Sequence, residues 1–338
     1  MTILDRQTFG YWAYLAIEKY FQKTIQYEAD VLADTDPEAL HQMRVGMRRL
    51  RTAATGFAPA LSLPKVAQEK KIAKVARQLG ELRDLDVLQE ALETRYRPML
   101  SPSEQKPFEK VLATLKKRRQ KSYERVCKAL KGERYQQLKQ GFQDWLATPN
   151  YGELAELAIA PILPDLLLPF LSRFFLHPAW LVGVKLAAGT VEADDTLDAE
   201  AVVALFNTQG DSLHDLRKQA KRVRYQMELF TDFYPSPYQD CVKDIKAIQG
   251  ILGQIQDSFV LAAFLQETLH TEIAASLPTL ANRLAADRYR AWQTWQPLQQ
   301  RYLNPQLRTE IRQVVLHPNG TVESNATEEA PLPMAGNE

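Results

Sequence analysis

Cysteine is nearly absent: the 338-residue chain holds two, Cys127 and Cys241, with no CxxC or Cys/His spacing around either. That excludes a disulfide framework and a thiolate metal site, and it fits reduced thiols in a cytoplasmic protein. Charge of one sign is not in excess either. The 42 Lys and Arg against 41 Asp and Glu leave a net charge of +1, so this is no globally basic nucleic-acid binder. Cationic function must therefore come from local clustering. The most apolar stretch, 154–184, is interrupted by Asp165, Arg173, Pro161, Pro164, Pro169 and Pro178 before the roughly 20 clean residues of a membrane span accumulate. It reads as one or two core helices. The segment Met1–Arg6 has no apolar h-region and is no signal peptide. A Walker loop, a GxGxxG turn, an HExxH pair and an acidic cluster for Mg²⁺ are all missing, so nothing indicates an enzyme or a cofactor.

What the chain does contain is helix. A composition of 45% hydrophobic and 25% charged residues is that of a soluble globular protein with one large core or two ordinary ones. Apolar residues at helical spacing mark 6–32. Thr35-Asp36-Pro37-Glu38 starts a second helix that reaches about Ala58, where Pro59 and Pro64 stop it. A third helix covers 65–96 and a fourth begins at Ser101-Pro102 and runs to about Leu146. No strand pattern competes in this half. Thr148–Gly152 is the best boundary, separating a first helical bundle (1–150) from a second (151–316), with an acidic, disordered tail at 317–338. Within the second bundle, 183–210 reads as a long irregular loop with at most a short helix. Asp211-Ser212 then caps a helix to Phe233, and further helices cover 237–270 and 277–302.

The informative stretch is His41-Gln42-Met43-Arg44-Val45-Gly46-Met47-Arg48-Arg49-Leu50-Arg51. At about 100° per residue, His41, Arg44, Arg48 and Arg51 share a stripe roughly 80° wide. Met43, Met47, Leu50, Ala54 and Phe57 form a separate apolar face. Like charges so close repel, and a bound polyanion would offset that cost. The motif is written twice. His214, Arg217, Lys221, Arg222 and Arg224 repeat His41, Arg44, Arg48, Arg49 and Arg51 at an offset of 173, and Lys218 sits among them. Leu79-Gly80-Glu81-Leu82-Arg83-Asp84 returns as Leu252-Gly253-Gln254-Ile255-Gln256-Asp257, again 173 residues on. A fixed offset over two motifs indicates a tandem duplication, and the fold class is all-α: two pseudo-symmetric four-helix bundles. The shared glycines are expected at close helix crossings, and Asp84 and Asp257 as buried anchors for a lysine or arginine. Lys70, Lys74 and Arg77 add a stripe on the third helix; Lys243 repeats Lys70, but Ala247 and Gly250 replace the other two, so the first half is the more basic. Lys117 and Lys121, four apart in the basic fourth helix, are weaker additions.

Arginine dominates these stripes, and its planar fork suits phosphate oxygens. Facing stripes would line one basic groove, in which an extended anion gains from engaging both halves. Aromatic residues do not alternate with the arginines as base stacking would require; Tyr225 is the nearby exception. A phosphate chain without bases is thus the preferred ligand. Binding of a nucleic-acid backbone, histidine phosphotransfer at His41 or His214, and metal binding by the two histidines stay open as alternatives.

The repeated His-x-x-Arg-x-x-x-Arg/Lys-Arg-x-Arg motif, followed by Leu-Gly-x-x-Arg-Asp-Leu-Asp-Val-Leu at Leu79–Leu88, strongly resembles the CHAD domain (conserved histidine α-helical domain) over residues 6–302. The resemblance implies two four-helix bundles about a pseudo-twofold axis and binding of inorganic polyphosphate in a central basic groove. It also implies association with polyphosphate granules. Its groove residues map onto His41, Arg44, Arg48, Arg51, His214, Arg217, Lys221 and Arg224, with Lys70, Lys74, Arg77 and Lys243 as further matches. The second half departs from the pattern at Gln256-Asp257-Ser258-Phe259 and in the long 180–210 segment. No Glu-x-Glu-x-Lys strand of a fused triphosphate tunnel enzyme is present, so the chain looks like a stand-alone binder.

Overall fold

Asp36 begins the helix that carries the first motif: its carboxylate accepts a 2.8 Å hydrogen bond from the Glu38 amide, and Pro37 occupies the first helical position. In the computed structural model, which describes residues 5–187 and 190–319, this helix is α3 (Pro37–Gly56). It follows α1 (Phe9–Ile25) and the short α2 (Glu28–Ala33). The helix α4 (Glu69–Ala91) ends in a π turn at Leu92–Tyr96. The expected single fourth helix is two, α5 (Gln105–Lys131) and α6 (Glu133–Ala147), because the chain turns extended at Gly132. The second half contains α7 (Ile159–Phe175), strands β1 (Val184–Ala187) and β2 (Thr190–Ala193), then α8 (Ala199–Leu229) and α9 (Ser236–Leu269). The short α10 (Ile273–Ser276), α11 (Pro278–Leu303) and α12 (Pro305–Leu316) complete it. The acidic tail beyond residue 319 lies outside the described residues.

The segment 183–210 departs from the expected loop. It forms the antiparallel hairpin β1–β2 and the first three turns of α8, which starts at Asp198 rather than at Asp211. The Asp198 carboxylate accepts from the Ala201 amide at 2.8 Å, while Gly210 stays inside the helix at a cost of about 1 kcal/mol. Buried Val202 and Phe206 stabilise this added length. Gly183 enters the hairpin at φ +65°, where a Cβ would come within 2.6 Å of the Trp292 ring, so only glycine serves there. In the apolar stretch 154–184, Leu163, Leu167, Leu171 and Phe174 are buried along one face of α7, while Leu154, Leu157, Leu176 and Leu181 are exposed.

The 173-residue register runs through the element boundaries. The ends of α3 and α8, Gly56 and Leu229, are 173 apart, as are the starts of α5 and α11, Gln105 and Pro278. The two halves touch at equivalent positions. Phe57 and Phe230, themselves 173 apart, pack edge to face with ring centres 5.2 Å apart. Phe57 and Phe230 thus lie where the two halves of the chain meet. One buried cluster runs from Phe9 to Val315 and a second joins Leu92, Phe108 and Leu115 to Leu261, Leu265 and Leu280, so each draws on both halves. The two basic helices bury the expected faces: Met43, Met47, Leu50, Ala54 and Phe57 on one, Leu216, Ala220, Val223 and Met227 on the other.

The halves differ where the second motif copy is weak. In the first, Arg119 of α5 holds Asp86 of α4 at 2.9 Å and forks onto Asp34 beyond α2. The positions 173 residues on are Phe259, Trp292 and Asn207, and there Phe206 packs edge to face on both Phe259 and Trp292 at 5.7 Å. An ionic clamp in one half is an aromatic cluster in the other, a replacement that cores tolerate well. Removing only the cation is different. Arg119→Ala leaves Asp86, 9% exposed, without its partner and is expected to lower unfolding free energy by about 2–4 kcal/mol. Urea denaturation checks this; an unchanged midpoint would show that the clamp contributes nothing.

Candidate anion-binding site

Two helices position the site. α3 and α8 meet near their C-terminal ends, where a Cβ on Gly56 would lie 2.6 Å from Gln226 and 2.7 Å from Leu229. Their basic stripes consequently face the same region on the axis between the halves. Lys221 senses the charges of Arg44 and Arg48 from the opposite half as well as Arg217 from its own. Burial, followed by these three like charges, pushes its ammonium down to about 8, with Asp84 pulling the other way. Lys221 and Arg48 are themselves repeat equivalents, as Phe57 and Phe230 are. Burial also lowers the Arg48 guanidinium, whose carbon lies 4.3 Å from the centre of the Tyr225 ring. Arg224 sits 4.6 Å from the same centre.

Around this centre each half repeats one arrangement. The NH2 of Arg44 lies 3.8 Å from Asp84, and that of Arg217 lies 3.6 Å from Asp257. Each arginine runs over the glycine one turn before its aspartate: a Cβ on Gly80 would sit 3.7 Å from Arg44 Nε, and one on Gly253 would sit 3.2 Å from Arg217 Nε. This corrects two expectations. The glycines seat guanidinium groups rather than a backbone crossing; the close crossing is at Gly46, where a Cβ would be 3.0 Å from the Thr24 backbone of α1. Asp84 and Asp257 are not buried, their side chains being 75% and 74% exposed. The buried anchor of that motif is Asp86, two residues on.

Both histidines flank the centre, half-buried. His41 is lowered below its usual range by burial, with Arg83, Arg44 and Arg48 adding to the drop and Glu38 opposing it. His214 is lowered by burial and by Lys218 and Arg217, against Asp215 and Asp211. In both, burial favours the neutral ring. Arg48 Nε, Arg217 Nε and His214 Nδ1 are buried with no protein acceptor, the inventory of donors that an anion would satisfy.

The other cations named from sequence lie outward of this centre. Arg51 is paired with Glu69 at 2.5 Å, Lys218 with Asp215 at 2.9 Å and Lys243 with Asp240 at 2.9 Å. Arg49 lies 5.8 Å from the centre of the Tyr20 ring and, with Thr52, Tyr225 and Glu228, lines a cavity of about 170 Å³. Arg222, its repeat, is exposed, as are Lys70, Lys74 and Arg77 on α4 and Lys117 and Lys121 on α5. Arg83, which acts on His41 from α4, was not among the sequence-derived site residues. Its place beside Gly80 and Asp84 in the repeated motif was the available signal. Among the described residues no group of three or more His, Cys, Asp or Glu is placed to hold a metal.

Fold and site together define an all-α protein whose halves pool arginines, a lysine and two histidines on their common axis. A family model described as the CHAD domain matches residues 15–266, and the chain belongs to that family. Among solved structures it is similar to the crystal structure of the CHAD domain from the plant Ricinus communis. That match has 22% identity over 93% of this chain and 94% of that one, with a TM-score of 0.56. PptA from Streptomyces chartreusis is similar at 16% identity over 91% of this chain and 99% of that one, with a TM-score of 0.57. At these identities the likeness is one of fold. No curated protein matches the chain.

Proposed function

We propose that this protein binds inorganic polyphosphate, without catalysing a reaction, in a groove lined by the stripes of α3 and α8. The observation that carries this reading is that Arg44, Arg48 and Arg217, drawn from both halves of the chain, lie close enough to Lys221 for their charges to act on it, with Arg48 stacked on Tyr225 four residues beyond it. Cations this close repel one another, the long Arg44–Asp84 and Arg217–Asp257 contacts offset that only in part, and a dense phosphate chain would relieve all four at once. Arginine forks with buried, unpaired Nε groups suit phosphate oxygens. The one aromatic ring at the centre, Tyr225, is engaged by two guanidinium groups, which argues against base stacking. His41 and His214 then act as neutral hydrogen-bonding groups that gain a proton when the anion arrives. The setting we infer is the cytoplasm, in association with polyphosphate granules.

Gel shifts with size-graded polyphosphate against single-stranded RNA and DNA test the reading. Long polyphosphate is expected to displace the nucleic acids; if it does not, the chain is a nucleic-acid binder. The pH dependence follows from Lys221. A bound anion raises an ammonium that stands at about 8 in the free protein. Its contribution to binding is thus whole below pH 8 and declines as pH rises above it, by up to about tenfold per pH unit. The histidines, lowered in the free protein by burial, add affinity as pH falls, by the same linkage. Titration calorimetry from pH 6 to 10 should show both limbs, and Lys221→Arg should flatten the alkaline one. A flat wild-type profile from pH 7.5 to 9.5 would remove Lys221 from the site.

A further inference from the structure

One corner of the second half carries two cations with no acid to hold them. Arg308 and Arg312, one turn apart on α12, stack on a single ring: their guanidinium carbons lie 5.5 and 5.2 Å from the centre of Phe175. Arg308 also lies 5.9 Å from the Trp180 ring, and its Nε donates to the Tyr302 carbonyl at 2.5 Å. Burial and the like charge of Arg312 both lower the Arg308 guanidinium. Among the described residues neither arginine is in an ion pair; neighbouring Arg301 takes Asp244 at 2.9 Å, and Glu310 accepts from Gln306. The repeat shows what is missing. Lys139 and Tyr135, 173 residues before Arg312 and Arg308, both reach Glu28, at 2.9 and 3.2 Å. Glu28 belongs to α2, and between α7 and α8 a 3-10 turn (Pro178–Leu181) and the hairpin stand in place of such a helix. The corner is also apolar: Leu176 and Leu181, next in the chain to Phe175 and Trp180, are 79% and 56% exposed.

We propose that the segment 320–338 of this chain docks on this corner, with Glu328 and Glu329 on Arg308 and Arg312 and the run from Pro331 to Met334 on Leu176 and Leu181. The segment is complementary in charge: it holds Glu323, Glu328, Glu329 and Glu338 and no Lys or Arg. Its acidic pair is followed at once by Ala330-Pro331-Leu332-Pro333-Met334, an apolar run suited to the two open leucines. Its point of departure is fixed, because the Asn319 amide donates to the Phe233 carbonyl at 2.7 Å just beyond the end of α12. Reach is sufficient. The residues from Asn319 to Glu328 span up to about 30 Å when extended, whereas α12 is only about 18 Å long. A tethered partner needs little intrinsic affinity, since its effective concentration is about millimolar, and two prolines reduce the freedom it loses on docking. The basic groove is a poorer destination, because Glu228 and Asp232 stand in the chain between Phe233 and Lys221 and repel an acidic segment. Docking at the corner does not depend on what the groove binds.

Disulfide trapping in the full chain tests this. Leu332→Cys is combined in turn with Leu176→Cys at the corner, Leu154→Cys towards the opposite end of α7, and Lys218→Cys beside the groove. Leu176 and Leu154 are exposed, so these replacements leave the core intact. Under mild oxidation the Leu176→Cys combination should close within one chain at least about tenfold faster than either other combination, read by mass spectrometry of the linked peptides. Adding Glu328→Gln/Glu329→Gln should slow that closure by about fivefold, the loss of two partly exposed ion pairs. Arg312→Gln should slow it as well, in a protein whose helical circular dichroism is unchanged. Equal rates for the three combinations mean random collision and overturn the proposal. Faster closure with Lys218→Cys places the segment on the groove and overturns it. Linkage between two chains overturns it too, assigning the corner to a second copy, as does fast closure indifferent to the glutamates.

Discussion

Arg44→Glu combined with Arg217→Glu is expected to lower polyphosphate affinity by at least about 100-fold, since each charge-assisted contact contributes about 1.5–3 kcal/mol and every 1.4 kcal/mol is tenfold. Reversal does more than delete two contacts, because each new carboxylate stands near an existing one, Asp84 or Asp257, and repels the ligand. Stability is a smaller concern. The two native pairs are long and solvent-exposed on their acidic side, a class of ion pair that contributes little, so the helical circular dichroism spectrum should be retained. Each single reversal should lose less than half of the effect in logarithmic terms, since one half can still hold the chain. Arg49→Glu is the comparison: it belongs to the same motif but is exposed and packs on the Tyr20 ring, and its effect should be well below that of either reversal. Retained affinity in the double variant would place the ligand elsewhere on the surface.

Ionic strength and chain length carry the second large effect. Binding that neutralises four ligand charges, one for each of Arg44, Arg48, Arg217 and Lys221, releases counterions on the scale known for single strands. At about 0.7 logarithmic units of affinity per charge and decade of salt, raising salt from about 50 to 200 mM should weaken binding by about 50-fold. A longer chain that reaches the outer cations, such as Lys70, Lys74 and Arg77, should show a steeper slope. Pyrophosphate offers two phosphates to the four cations, whereas a long chain reaches all four and the outer cations and gains the effective concentration of further intramolecular contacts, about 100-fold or more. Filter binding across a length series at two salt concentrations measures both quantities. Equal affinity for pyrophosphate and long chains would contradict a groove shared by the two halves.

The all-α class, the basic stripes and the 173-residue repeat were legible because they rest on local rules. Helical periodicity assigns a face to every residue within a turn or two, and Met43, Met47 and Leu50 are buried while Arg44 and Arg48 are half-buried. The same rules misjudged Asp84 and Asp86. Both precede apolar residues in one motif and either could anchor a cation. Arg119, which lies 33 residues beyond Asp86, selects Asp86 by the way α5 packs on α4. The start of α8 was misjudged for a related reason: Gly210 and the Asp211-Ser212 pair are good local stop and start signals, but burial of Val202 and Phe206 outweighs them.

By itself the amino-acid sequence determined that this chain would be helical, internally repeated and locally cationic, since hydrophobic period and offset are properties of neighbouring residues. The tertiary structure alone decided which cations share a site. It brought Arg48 near Lys221, set Arg49 against Tyr20, paired Arg51 with Glu69, and set Gly80 and Gly253 beneath arginines from another helix. Those partners are 18 to 173 residues apart in the chain, beyond the reach of any helical period, and only the crossing of packed helices fixes them.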